Sequence, residues 1–323
     1  MKKLMLVLML LATAVALPAQ AQKKVTLPPD VKRVIFLGDS ITYGGTYTAL
    51  IEAYFLTRAP GHAVEFINVG LASETVSGLS EPNHAGGKFP RPDLHERLGR
   101  VLEKLKPDLI FACYGMNDGI YLPFEASRFK AFQDGIQKLR DAAQQAHAQV
   151  IHITPPYYDG QRTKKVEYIE TLARYSAWLL KQRKQSWQVV DVNGPMTAYI
   201  TERRKTDPAF VLARDGIHPG EFGHWLMAKN ILLGLGAEDI KDAASAEQMV
   251  TALPQGGHLL KLVEQREQLL RNAWLTATGH KRPGVSPGLP LPEAQAKAHE
   301  LTDEISAART ADKPLPLESE PVR

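Results

Sequence analysis

Asp215 and His218 stand three residues apart in "ARDGIHPGEFGHWL" (213–226), and a second imidazole, His224, follows six positions later. In a turn forced by Gly216 and Pro219 the carboxylate can hold one ring nitrogen of His218 and leave the other free to act as a base. Pro219 also suits the first turn of a helix, which would fix His218 at that helix's mouth. His224 lies one to two turns inside the same helix, points elsewhere and reads as a packed or surface residue. Such a base needs a hydroxyl to activate. Ser40 offers one in "IFLGDSITYGG" (35–45), with Gly38 before it and Gly44–Gly45 after it. A tight turn there would lift the hydroxyl above a strand end and leave the serine N–H free to donate. This triplet alone reads first as a helix N-cap serine, which is common at strand-to-helix turns.

Acyl transfer through a serine also requires donors for the oxyanion. Gly70 ends the apolar run 63–70 and would let a backbone N–H approach a substrate. Asn117, in "YGMND" (114–118), offers a side-chain amide. Taken singly, each could be an ordinary loop residue. A competing serine, Ser286, sits in the G-x-S-x-G match 284–288, but no strand precedes it. Pro287 would also leave the required oxyanion N–H missing. No Cys/His cluster has metal-ligand spacing, so neither a metal nor a cofactor is expected. Cys113, the single cysteine, falls in the apolar run "LIFACYG" (109–115) and reads as a buried structural thiol.

The elements that must position these residues alternate along the chain. Apolar, β-branched runs at 33–38, 63–70, 107–115 and 148–156, with a weaker one at 187–194, predict strands. Amphipathic stretches at 46–57, 93–105, 125–147, 164–184 and 219–235 predict helices. Strands alternating with helices argue for a parallel sheet covered on both faces. In such a sheet, ligands bind beyond the carboxyl ends of the strands. The chemistry-bearing residues gather at those ends. Residues 71–92 form a long, lid-like connection, and the aromatics Tyr121, Phe124, Tyr157 and Tyr158 follow the third and fourth strands.

Residues 31–235 therefore read as one catalytic-sized domain. Residues 236–311 read as a helical extension with a Pro/Gly linker at 281–292, and 312–323 as a frayed tail. At the other end, Lys2 and Lys3, an apolar run and Ala19/Ala21 have the layout of a secretory leader over 1–21. Its apolar run of about 14 residues is too short to span a bilayer comfortably, which takes roughly 20. The expectation is an extracytoplasmic protein with no stable membrane anchor. The formal charge of +4, half of it on Lys2 and Lys3, provides no electrostatic footprint for nucleic acid.

Taken together, the blocks G-D-S (38–40), Gly70, G-M-N-D (115–118) and D-G-I-H (215–218) followed by Pro219 resemble those of the SGNH (GDSL) hydrolase superfamily, in order and in position, over roughly 31–235. The resemblance implies a flavodoxin-like three-layer α/β/α sandwich, here with a C-terminal helical extension. It implies Ser40 as nucleophile, His218 as base and Asp215 as its partner. The oxyanion hole would comprise the Ser40 and Gly70 N–H groups and Asn117. Asp39 and Asp118 would brace the loops. Ile41 departs from the family's usual leucine, a conservative change. The expected function is ester hydrolysis through an acyl-enzyme, with a short, acetyl-type ester on carbohydrate as substrate and Tyr121 and Tyr157 as candidate sugar contacts. A lysophospholipase- or thioesterase-like enzyme is the enzymatic alternative. A non-catalytic carbohydrate-binding or scaffold protein is the alternative of another class.

Overall fold

The computed structural model describes residues 24–312 apart from 60 and 62. The leader expected over 1–21 and nearly all of the tail expected over 312–323 lie outside these residues. Five strands, β1 (Arg33–Gly38), β2 (Glu65–Asn68), β3 (Leu109–Cys113), β4 (Gln149–Ile153) and β5 (Gln188–Val190), form one sheet in the order β2-β1-β3-β4-β5. Every pairing is parallel. This is the flavodoxin-like order, whose switch point falls between β1 and β3.

Alternate side chains of each strand enter different cores. Val34 and Phe36 of β1 pack in one, with Tyr47 and Ile51 of helix α2 (Thr46–Arg58) and with Trp225 and Ile231 of the later helix Glu221–Leu235. Ile35 and Leu37 enter the other, with Leu98 of α3 (Leu94–Leu105), Phe132 of α4 (Ala126–Gln145) and Tyr175 of the helix Glu167–Lys181. Burial on both faces explains why the strands read as continuous apolar runs. The result is the three-layer α/β/α sandwich.

The strands stop short of the apolar runs that announced them. β3 ends at Cys113 because Gly115 takes φ +126°, and β4 ends at Ile153 before Pro155 and Pro156, which have no N–H to continue a ladder. The remaining helices are α1 (Ser40–Gly44), α5 (Gly160–Thr163), α6 (Glu167–Lys181), α7 (Asn193–Thr206), α8 (Glu221–Leu235), α9 (Ala246–Val250), α10 (Gly256–Thr278) and α11 (Leu291–Thr310). The periodicity passed over α7, which has Gly194–Pro195 in its first turn and buries only Met196 and Ile200.

The region beyond 236 packs against the sandwich. Leu259 and Val263 of α10 join the first core, Leu270 and Trp274 the second. Arg266 pairs with the buried Glu52 at 2.5 Å, and Arg271 donates to the carbonyl of Tyr43. The helix thus ties both layers to the turn that follows Ser40.

Candidate active site

Ser40 is the first residue of the five-residue α1, separated from the end of β1 by Asp39 alone. The helix is capped by Asp39, whose Oδ1 accepts from the N–H of Ile41 at 2.9 Å. The serine hydroxyl is therefore not spent on capping and the capping alternative is excluded. Its Oγ lies 2.8 Å from Nε2 of His218. On the far side of the ring, Nδ1 lies 2.6 Å from Oδ2 of Asp215. The other oxygen of Asp215 accepts the N–H groups of Ile217 and His218 at 2.9 and 2.8 Å.

That turn depends on Gly216, which takes φ +82° and donates to the carbonyl of Ala213. Gly220 caps α8, so Pro219 lies just ahead of the helix rather than in its first turn. Burial alone would raise the pKa of Asp215, but the His218 ring and the two backbone donors outweigh it and hold the group below its usual value. An ionised carboxylate only accepts, so Nδ1 carries a proton, and in the neutral form of the ring Nε2 is the atom that accepts from Ser40. The carboxylate and imidazole side chains are 52% and 49% exposed, which puts the site on an open rim.

His224 is apart from this set. Its ring is buried, stacks on Tyr47 at 6.1 Å and abuts Gly44. Burial pushes its pKa down to about 4. Ser286 is exposed in the segment between α10 and α11. Cys113 is buried, and burial pushes its thiol up.

The expected oxyanion donors divide. The N–H of Ser40 has no partner among the described residues. Gly70, however, donates to Oδ1 of Asn68 at 2.9 Å, and a Cβ there would lie 2.6 Å from the backbone nitrogen of Tyr43. This corrects the expectation for Gly70. The glycine lets α1 pack on the exit of β2, and its N–H is already used. In the same loop, Ser73 occupies the second central position of the turn closed by Glu74 N–H on Leu71 O. It has φ +69°, and its N–H has no partner among the described residues. Asn117 is 3% exposed; Nδ2 donates to the carbonyl of Glu74 at 3.1 Å, and Oδ1 accepts from Tyr121 Oη at 2.9 Å. One amide hydrogen remains.

The two extra aspartates act on loops. Oδ1 of Asp118 accepts the N–H groups of Val76 and Ser77, both at 2.8 Å. Burial pushes Asp118 up to about 6; burial, aided by the nearby Asp118, pushes Asp39 up to about 7. The 71–92 connection is consequently not a free lid. Glu74 is fully buried, gripped by Arg97 at 2.6 and 2.8 Å and by the Tyr114 hydroxyl at 2.7 Å, and Arg91 clasps Glu81 through two 2.7 Å contacts.

The proposed sugar contacts also need correction. Tyr157 is buried in the core with Arg204 on its hydroxyl at 3.2 Å, and Tyr158 is buried too, so neither presents a free face. Phe124 packs on Phe129 beneath Arg174. Tyr121 is half-buried, its hydroxyl committed to Asn117. Asn68, Ser73 and Glu74 escaped the sequence reading. Only the adjacency of Asn68 to the Gly70 block could have flagged them. Among the described residues, no group of three or more His, Cys, Asp or Glu side chains is placed to hold a metal ion.

No curated protein sequence matches the chain. Among solved structures, it is similar to a gut microbial diltiazem-metabolizing enzyme, at 24% identity and a TM-score of 0.51 over 66% of this chain, and spans about half (49%) of that protein. It is similar to a catalytic mutant of an acetylxylan esterase from Geobacillus stearothermophilus (20% identity, TM-score 0.50, 64% of this chain and 94% of the other). An acetyl xylan esterase, AlAXEase, has 21% identity and a TM-score of 0.48 over 62% of this chain and 97% of its own. The first two likenesses concern the fold. The GDSL-like lipase/acylhydrolase family model matches residues 36–226, which contain the end of β1, the Ser40 turn, Asn117 and the Asp215–His218 pair. The chain belongs to the GDSL-like lipase/acylhydrolase family.

Proposed function

We propose that the protein is a serine esterase that removes short acyl groups, acetyl above all, from carbohydrate, working outside the cytoplasm after loss of residues 1–21. The observation that carries the reading is the unbroken contact from Ser40 Oγ to His218 Nε2 (2.8 Å) and from His218 Nδ1 to Asp215 (2.6 Å). In this reading His218 takes the Ser40 proton as Oγ attacks the ester carbon. Asp215 stabilises the imidazolium that results. The tetrahedral oxyanion is met by the N–H of Ser40 and the remaining amide hydrogen of Asn117, with the N–H of Ser73 in place of that of Gly70. His218 then protonates the departing alcohol, leaving acyl-Ser40. A water deprotonated by His218 attacks that ester, and the imidazolium returns the proton to Ser40 Oγ as the carboxylic acid is released.

The open rim supports a small acyl group on a bulky alcohol. A fatty chain gains about 0.8 kcal/mol per buried methylene, which needs an apolar enclosure, whereas His218 and Asp215 are half-exposed. The leader layout at 1–21 supports the location. The test is labelling by a fluorophosphonate. Wild type should be labelled at Ser40 and Ser40→Ala should not, with folding unchanged. Labelling of the alanine variant, or at Ser286, overturns the assignment.

A further inference from the structure

We infer that Tyr121 is a positioning residue for the oxyanion site, fixing which atom of the Asn117 amide faces the reacting ester; this rests on the esterase reading above. Asn117 is nearly closed to solvent, so both ends of its amide must be satisfied by protein. The carbonyl of Glu74, 3.1 Å away, can only accept, so the atom that faces it is Nδ2. The atom 2.9 Å from the Tyr121 hydroxyl is therefore Oδ1, and the phenol donates. Burial pushes the phenol pKa up, so the proton needed for that bond stays in place at working pH.

These two bonds use one amide hydrogen and a lone pair of the oxygen. They leave one N–H with a fixed direction. Without the Tyr121 bond, the amide would be held in that orientation from one end only, by Glu74. The bond also polarises the amide, drawing charge towards Oδ1 and strengthening the remaining N–H as a donor.

The surroundings of Tyr121 hold its hydroxyl in that position. Ile120 and Tyr121 take φ +48° and +56°, a left-handed pair that non-glycine residues rarely adopt. The Ile120 N–H donates to the carbonyl of Asn117 at 2.9 Å, and Gly119 donates to Tyr168 Oη at 3.1 Å. The Tyr121 ring packs on Tyr158 and Tyr168. Arg91, itself clasped by Glu81, and Lys165 place cations 5.3 and 5.6 Å from the ring centroid. The front of the 71–92 connection thus reaches the oxyanion amide through Glu74, and its rear reaches it through Arg91 and Tyr121.

The test is a double-mutant cycle of Tyr121→Phe and Asn117→Ala on p-nitrophenyl acetate, with thermal unfolding as a control. Phenylalanine keeps the ring, its cations and the packing. Tyr121→Phe should lower kcat roughly five- to tenfold with KM unchanged, and should have no further effect on kcat in the Asn117→Ala background. A kcat unaltered by Tyr121→Phe, or an equal loss in both backgrounds, overturns the positioning role and leaves the esterase reading standing. If Asn117→Ala itself leaves kcat unchanged, the oxyanion assignment falls and this inference with it.

Discussion

Ser40 Oγ and His218 Nε2 meet at 2.8 Å across 178 residues of chain, one carried at the end of β1 and the other on the turn leading into α8. His224, six residues further on, is turned into the core against Tyr47. His218→Ala should therefore lower kcat by about 10³-fold or more with the unfolding midpoint nearly intact. His224→Ala should do the reverse, losing about 1–3 kcal/mol of stability with modest effect on turnover. Paired kcat and urea-denaturation measurements decide it. Equal losses of activity would mean that the imidazoles do not divide this way.

Asn117 has one amide hydrogen left after Glu74 takes the other. If that hydrogen serves the tetrahedral oxyanion, Asn117→Ala lowers kcat by about 10²–10³ and leaves KM nearly unchanged. A change confined to KM would assign the residue to ground-state binding.

Gly70 and Ser73 make opposite predictions. A methyl group at 70 meets the backbone of α1 at 2.6 Å, so Gly70→Ala should displace the Ser40 turn and lower both the midpoint and kcat. Ser73 holds φ +69° with a side chain, so Ser73→Gly should relieve strain of roughly 1 kcal/mol and keep kcat, since the N–H is retained. Loss of activity in Ser73→Gly without loss of fold would point to the hydroxyl instead.

Asp39 supplies a pH test. Its carboxyl is raised from 3.8 to about 7 by burial, with Asp118 adding to the rise. The folded state thus holds a proton that the unfolded chain releases. The associated stability is fully present below about pH 4 and is lost as pH rises through 7. Asparagine can keep the cap on Ile41 without ionising. Asp39→Asn should gain on wild type by about 2–3 kcal/mol between pH 5 and pH 7. Chemical denaturation at the two pH values measures it; a constant difference would show that Asp39 stays ionised throughout.

Chain-length selectivity tests the acyl group. p-Nitrophenyl acetate should be turned over faster than the butyrate, and the octanoate hardly at all. A buried channel would instead raise kcat/KM with each methylene, by an increment of about 0.8 kcal/mol in binding. A steady climb to octanoate would replace the short-ester reading with a lipolytic one.

The sequence alone determined the α/β alternation, because strands buried on both faces must be apolar throughout and the helices that flank the sheet repeat their apolar positions at helical spacing. It also determined the Asp215–His218 pairing, a local matter of a glycine turn three residues long. It singled out Ser40 by a strand-end triplet, though not whether the hydroxyl or Asp39 caps α1. Only tertiary structure decided the contacts between distant loops. The N–H of Gly70 went to Asn68, Asn117 was oriented by Glu74 and Tyr121, and Tyr157 was drawn into the core under Arg204. Local spacing carries no record of such choices. A polar group entering a packed interior bonds to whichever partner the fold brings near, and for Asn117 and Glu74 that partner lay 43 residues away. The same holds for α10. Its apolar positions announced a helix, but its place across both cores was set by the edge strand β2 and by the buried Glu52, which Arg266 reaches from 214 residues away.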